Sequence, residues 1–534
     1  MARGSRAQRH SPNDWVWGHG LAARPSHIEP SELPGIPIGQ SALIRILGLK
    51  PLRPFTESYV GESRSKVQTE SVSTVTIYRP EMARSNDPIE HLEFALRHEA
   101  FDLGVLVSAL KAIDPHGIED WVRRTPNSTF ARRAWFYYET FVGKQLDLES
   151  ATNLNYVDAL DPARFIVGPA TYAVRQRVRD NLLGTPGFCP TVRRTPRLDA
   201  RIAERWDERV REFAEAHDPA LFARAVNYLY TKESKSSYQI EGESPSPDRL
   251  ERFVQILRRA GTFNTTSQQA LLGLQAAILD ARFVERDWRP GQIYVGEPVG
   301  LNAERVHFVG PRPEDLPTLM EGWAAMSERL LNSSVDAVVS SAISSFGFVF
   351  LHPLPDGNGR THRFLIHNIL ARRGFTADGM LFPVSAAMVR NPAGYDSALD
   401  AFSSRLLSCV KWHFEPDGTF QPDDIDPDLY RYFDATPQAE YLYDQVARTT
   451  EEDLREQLEF LEVFTAAFSS AQAIVDMPDQ QLSLFVRLCM QNGGRLSGAK
   501  RDRFAKLTDD EIARMEAGVQ EAMNTVRERK PASR

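Results

Sequence analysis

Residues 346 to 363 read Phe-Gly-Phe-Val-Phe-Leu-His-Pro-Leu-Pro-Asp-Gly-Asn-Gly-Arg-Thr-His-Arg, and the reading of this stretch decides the fold. An apolar run ends at His352-Pro353, and a Gly357-Asn358-Gly359 turn leads into a helix that carries Arg360 and Arg363. Glycines on both sides of Asn358 let the backbone approach a ligand closely. The N–H groups that open the next helix point at that ligand with the positive end of the helix dipole. Arg360 and Arg363 lie near one another on the helix and can pair with phosphate oxygens. Asp356 can hold Mg²⁺ together with the oxygens of a di- or triphosphate, because Mg²⁺ takes one or two carboxylates plus substrate phosphates. Between His352 and Gly359, His352 is the one group that titrates near neutrality. Placed at the loop edge and facing solvent, it can take the proton of an incoming hydroxyl. The plain alternative, a helix-turn-helix loop with a capped end and exposed arginines, suits a lone Gly-Asn-Gly but not the full spacing.

Working upstream, residues 287 to 315 bracket short runs, Ile293 to Val295 and Val306 to Val309, between Gly and Pro signals, which reads as a β-hairpin or flap. Asp218 to Glu241 has helix logic. Asp218 can cap, Pro219 suits the first turn, Leu221, Phe222, Ala225, Val226, Leu229 and Tyr230 form an apolar stripe, and Gly242 can end the helix. Residues 150 to 200 are rich in turn signals and read as a connector across the surface, with a boundary near 200. Helical periodicity begins near Pro88, seen in Leu92, Leu96, Ala100, Leu103 and Val107. Residues before it read as an irregular or small mixed segment with β-branched runs such as Val72 to Tyr78. Downstream, helical patterns run from Leu316 toward the C-terminus, with a start signal at Thr436-Pro437 and a capping box at Thr508 to Glu511. The charge run Glu451 to Glu456 reads as a solvated helix face, and His362 and His367 read as packing or solvent-facing residues rather than metal ligands.

Residues His352 to Arg363 resemble the motif of the Fic family, HPFx[DE]GNGRxxR, with Leu354 in place of the usual Phe. The resemblance implies that His352 deprotonates a target hydroxyl and that Asp356 holds Mg²⁺. It also implies that the backbone of Gly357 and Gly359 with Asn358 binds the phosphates of ATP, and that Arg360 and Arg363 bind the phosphate tail. Arg305, Val306, His307 and Phe308, within Arg305 to Pro311, look like the family's flap, which aligns a target protein as an added strand. Tyr395 falls where Fic proteins place an aromatic near the adenine, and a core or surface tyrosine is the equal alternative. Ser237-Tyr238-Gln239-Ile240-Glu241-Gly242 resembles the family's inhibitory motif, [ST]xxxE[GN], ahead of the core as in self-inhibited class II members. Glu241 would then hold Arg363 away from the γ-phosphate, while Ser237 and Gly242 complete the motif; the bland alternative is an ordinary helix end capped by Gly242.

The expectation is a mainly α chain. It would comprise an N-terminal mixed or helical module (1–199), a Fic-type helical core with a β-hairpin flap (200–420), and a C-terminal helical module (421–534). Within the core lie the inhibitory helix (about 219–242), the flap (about 289–311) and the motif (352–363). The implied activity is transfer of AMP from ATP to a Ser, Thr or Tyr hydroxyl of a protein whose identity the sequence does not give. Rival readings are the same fold with another nucleotide donor or acting mainly to remove AMP, and, in another class, an ATP-sensing regulatory protein without significant turnover.

The composition accommodates this. The chain has 534 residues, 42% hydrophobic and 25% charged, with a formal charge of −8, which argues against nucleic acid held on a generally basic surface. Cys189, Cys409 and Cys489 stand singly, which fits neither a disulfide framework nor zinc spacing and points to a reducing cytoplasm. No stretch of about 18 apolar residues suggests a membrane span. Met1 to Ser11 reads as a frayed N-terminus rather than a transit segment, and a homo-oligomer stays open.

Overall fold

Asp87, Asp102, Asp114 and Ser128 each accept a backbone N–H of the helix they precede, and so set the starts of helices Pro88–His98, Leu103–Ala112, Pro115–Arg124 and Thr129–Tyr137. This computed structural model describes residues 35–528 apart from 63–64, 69–73, 281, 283, 285, 300–303 and 377–379. The frayed end read at Met1 to Ser11, the first residues of the Val72 to Tyr78 run, and Gly300 of the flap lie outside the described residues. The continuous run of helices starts at Pro88 as expected, but helix Gln40–Ile46 precedes it, correcting the reading of that earlier segment as one without helices, and its Leu43 packs into the same apolar cluster. The periodicity from Pro88 spans two helices rather than one, because Asp102 caps a fresh helix four residues after His98. Ahead of it a small sheet has the strand order Ile36–Pro37, Thr56–Val60, Thr74–Tyr78, Ser65–Gln68, with the middle pair parallel.

Asp102 is buried, and burial together with the neighbouring Asp434 raises its pKa to about 7. The folded chain therefore keeps this proton up to about pH 7, while the unfolded chain releases it near the ordinary carboxylate value of 3.8. Between those limits the folded state binds more protons, so this group's contribution to stability is lost as pH rises. Asn caps as well as Asp and carries no charge. Asp102→Asn is expected to flatten the fall in melting temperature between pH 4.5 and 7.5; an unchanged pH slope in a thermal melt would refute it.

The stretch 150–200 corrects the expectation of a surface connector. It forms a three-stranded sheet ordered Val157–Asp158, Val178–Asp180, Thr171–Ala173, and then dives inward with Leu182, Leu183, Phe188, Cys189 and Val192 fully buried. The N–H groups of Cys189 and Thr191 donate to the carbonyls of Arg431 and Phe433 at 2.9 and 3.0 Å, and Arg193 pairs with Asp434. Turn residues mark only where a chain reverses. The apolar pairs between them decide that this segment becomes a seam between the N-terminal helices and the core.

The core is built on helix Ala337–Leu351, whose residues from Val338 onward are all buried, as befits a helix apolar on every side. Helices Leu316–Leu331, Asn358–Arg372 and Thr436–Arg448 surround it, and Pro219–Ile240 lies against Asn358–Arg372 and Val384–Arg390. The expected flap is an antiparallel hairpin of Tyr294–Pro298 and Glu304–Val309 with a bulge at Val295/Gly296. Tyr430, Phe433, Leu442 and Leu454, beyond residue 420, join this same apolar core. Helices Arg455–Gln472, Asp479–Gln491 and Asp509–Glu528 carry a separate one around Ala467, Phe485, Met515 and Val519. The capping box is present, with Thr508 N donating to Glu511 Oε2 at 2.7 Å and Glu511 N to Thr508 Oγ1 at 3.2 Å. The charge run at 451–456 is not wholly a solvated face. A π-helical turn, Thr449–Leu454, rotates Asp453 inward, where Arg390 grips it with two 2.7 Å bonds and Lys232 donates to the same carboxylate. An α-helical period misses this because the π turn shifts the residue to another face.

Candidate active site

Helix Ala337–Leu351 ends where His352 takes left-handed backbone angles (φ 47°, ψ 55°), which turns the chain sharply into Pro353. The loop is then closed by its own residues. The Asn358 side chain accepts from Leu354 N at 3.0 Å and donates to Leu354 O at 2.7 Å, and Leu354 itself is fully buried. The Asn358 side-chain amide is thus occupied in shaping the loop. Gly357 forms the helix N-cap with φ 86° and, having no side chain, makes no side-chain cap bond to helix Asn358–Arg372.

The same helix carries the two arginines. Arg360 is fully buried, pairs with Glu243 and Asp356 at 3.2 Å each, and lies 5.3 Å from the centre of the Tyr238 ring. Burial pulls its pKa down, but Glu241, Asp356 and Glu243 together carry it above the ordinary value. Arg363 donates from Nε to Ser237 Oγ at 2.8 Å, and from Nη2 to Ser237 O at 2.8 Å and Glu241 Oε1 at 2.5 Å. Both ends of this ion pair are buried, with side-chain exposures of 1% and 2%. An added Cβ at Gly359 would run into Glu241 Oε1, so only glycine there lets the carboxylate lie against the start of the helix. The Glu241 carboxylate thus lies between Arg363 and the start of this helix.

Local rules put Glu241 there. Gly242, at φ 67°, is the left-handed residue that ends helix Pro219–Ile240. Gly242 N donates to Gln239 O and Glu243 N to Tyr238 O, each at 3.0 Å, which completes a Schellman motif with Glu241 as the capping residue. The plain reading of a capped helix end and the reading of a Glu aimed at Arg363 therefore hold together. The Ser237 carbonyl, left over at the helix end, is taken by Arg363.

His352 corrects the expectation of a solvent-facing base. It is 1% exposed, with the Phe308 ring of the flap 6.2 Å from its own. Val306 and Phe308 face inward, while Arg305 and His307 approach Glu297 on the same hairpin at 3.3 and 3.4 Å. Burial lowers the His307 pKa against the pull of Glu297. Tyr395 is a packed residue: buried, stacked on His362 at 6.1 Å and beside Tyr441, with its pKa raised to about 12 mainly by burial. His362 is buried against Phe346, and burial holds its pKa down at about 3. His367 bonds Glu233 at 2.8 Å, and the same carboxylate takes the Ser385 backbone N–H at 2.9 Å.

Asp356 offers a carboxylate with 43% side-chain exposure; its Oδ1 accepts from Gly357 N at 2.5 Å. No group of three or more His, Cys, Asp or Glu that could cage a metal occurs among the described residues. One accessible carboxylate beside an anion cradle fits a Mg²⁺ ion whose other ligands are nucleotide oxygens and water.

Three residues that the sequence reading left out serve the site. Gln275 Nε2 donates to Asp356 O at 2.9 Å, Glu243 pairs with Arg360, and Arg289 bonds His352 O at 2.8 Å. Glu243 directly follows the Ser237 to Gly242 stretch and was within reach of the pattern. Gln275 and Arg289 come from segments distant in the chain, where no local signal marks them.

The helical core, the hairpin over a His-Pro loop, and the arginine-bearing helix with its open N-terminus define the class. Residues 265–370 match the model of the Fic/DOC family, and the chain carries a Fic domain there. Among named relatives, Protein adenylyltransferase Fic of Drosophila willistoni is 34% identical over 89 residues, 17% of this chain and 16% of that protein. The protein of the same name from Culex quinquefasciatus is 25% identical over 210 residues, 33% of this chain and 39% of that protein. The matches thus span well under half the length of these relatives. A solved structure of a Fic family protein from Desulfovibrio desulfuricans G20 aligns with 52% of this chain and 80% of its own, at 16% identity and a TM-score of 0.35. No helix among the described residues is long and apolar enough to cross a membrane.

Proposed function

We propose that this chain transfers AMP from ATP to a Ser, Thr or Tyr hydroxyl of a protein, and that Glu241 holds it in a self-inhibited state. The observation that carries this reading is the Glu241 carboxylate held by Arg363 and lying against Gly359 at the start of helix Asn358–Arg372, beside the loop that begins with His352. The name shared by the relatives supports AMP as the transferred group.

In this mechanism the target hydroxyl gives its proton to the His352 imidazole and attacks the α-phosphorus of ATP. The new O–P bond forms as the bond to pyrophosphate breaks. The first-turn amides and Arg360 and Arg363 stabilise the charge on the phosphate oxygens without reorganising, which is where a preorganised cradle contributes most. Asp356 would hold Mg²⁺, which supplies neutralising charge at the phosphates. Arg363 can take part only after Glu241 leaves it, because one guanidinium edge cannot bind both anions. The flap strand Glu304–Val309 would present the target segment by main-chain pairing.

The test is incubation of the Glu241→Gly chain with Mg²⁺ and ATP labelled at either the α- or the γ-phosphate, with the chain itself and a cytosolic lysate as acceptors. Label is expected on protein from the α position only. Label arriving from γ would mean phosphoryl transfer and overturn the reading.

A further inference from the structure

Arg289 lies just before the first flap strand, is 2% exposed, and donates from its guanidinium to three carbonyl oxygens. Nε donates to His352 O at 2.8 Å, Nη1 to Gly291 O at 2.6 Å and Nη2 to Pro311 O at 2.5 Å. Its backbone N–H donates to Pro353 O at 2.9 Å. One guanidinium thus joins the chain on either side of the flap strands, at Gly291 and Pro311, to the residue read as the base. We propose that Arg289 is the positioning residue that holds His352 and the flap in a single reactive arrangement, a role that rests on the reading of His352 as the base.

Two features favour this over simple space-filling. His352 is a non-glycine residue at φ 47°, a conformation that persists only where the surroundings over-determine it, and its carbonyl is tied by Arg289. The guanidinium is also a costly choice in this position: burial lowers its pKa to about 9, opposed by Tyr430 and Glu314, yet the cation remains at neutral pH. Three carbonyls held by Nε, Nη1 and Nη2 match the rigid fork of Arg, and a Lys ammonium on a flexible stem cannot reproduce that geometry. Tyr430 adds to the brace by donating to Val309 O at 2.7 Å, at the end of the second flap strand.

The experiment compares Arg289→Lys and Arg289→Met in the Glu241→Gly chain, where transfer can be read. Since a displacement of about 1 Å at a reacting group costs about 100-fold, kcat for label transfer is expected to fall about 100-fold in Arg289→Met, with KM for ATP unchanged and a partial recovery in Arg289→Lys. The His352 imidazole resonance should shift in both variants. Unchanged kcat, or a rise in KM with kcat kept, overturns the proposal. Should both variants fail to fold, or the Glu241→Gly chain transfer no label, the unaltered chain decides. Its Arg289 Nε–H should give a sharp resonance that exchanges slowly with solvent, and exchange as fast as that of surface arginines overturns the clamp. Absence of transfer with a slow Nε–H would count against AMP transfer and leave the clamp standing.

Discussion

Glu241→Gly is expected to raise transfer from α-labelled ATP, with Mg²⁺ present, by about 100-fold over the unaltered chain. The Glu241 carboxylate lies 2.5 Å from Arg363 Nη2 in a site where both side chains are buried. Removing one partner of a buried pair leaves the other uncompensated at a cost of about 3 kcal/mol, and each 1.4 kcal/mol is about tenfold in an equilibrium. An incoming phosphate therefore meets an Arg363 that lacks its anion instead of one already satisfied. Glycine also clears the space over Gly359 that the carboxylate fills. Glu241 sits at the helix end and Gly242 carries the left-handed turn, so the substitution should leave helix Pro219–Ile240 in place. Circular dichroism and ATP affinity should be read alongside labelling. Tighter ATP binding without any gain in transfer would show that Glu241 governs access but not the pose needed for attack.

In that activated background, replacing His352 should lower transfer by about 1,000-fold, within the range for loss of a general base. The structure changes which replacement is the clean one. With φ at 47° and 1% exposure, His352→Ala both strains the backbone and opens a cavity, so about 1 to 2 kcal/mol of stability should go with the activity. Asn adopts left-handed angles more readily than other residues and cannot act as the base. His352→Asn should thus abolish labelling while the melting temperature stays near that of the parent. Full labelling by the Asn variant would remove His352 from the mechanism; equal losses of folding in both variants would show that the residue is held for the fold.

Much of the site was legible because it is local. A Pro after an N-cap Asp, a Gly at a helix end, and Gly-Asn-Gly before an arginine-bearing helix act within one or two turns of chain. Asp218, Gly242 and Gly357 all do in the structure what their positions imply. The flap strands follow from apolar runs between turn residues for the same reason. The errors share a cause as well. The seam around Leu183 and Phe188, the inward Asp453 and the buried His352 depend on partners, Arg431 and Phe433, Arg390 and Lys232, and Phe308, that are brought near only by folding.

The sequence by itself determined a mainly α chain with a Fic-type loop, its candidate base, its two arginines, and a Glu placed at a helix end. Only the tertiary structure decided that the Glu241 carboxylate lies in the arginine cradle and that the flap covers His352. It alone decided that Asn358 shapes the loop and that Arg289 ties the loop to the flap. The physical reason is that capping and turn preferences act between neighbours in sequence. The burial of charge and the choice of hydrogen-bond partner are instead settled by what packs across a shared interior.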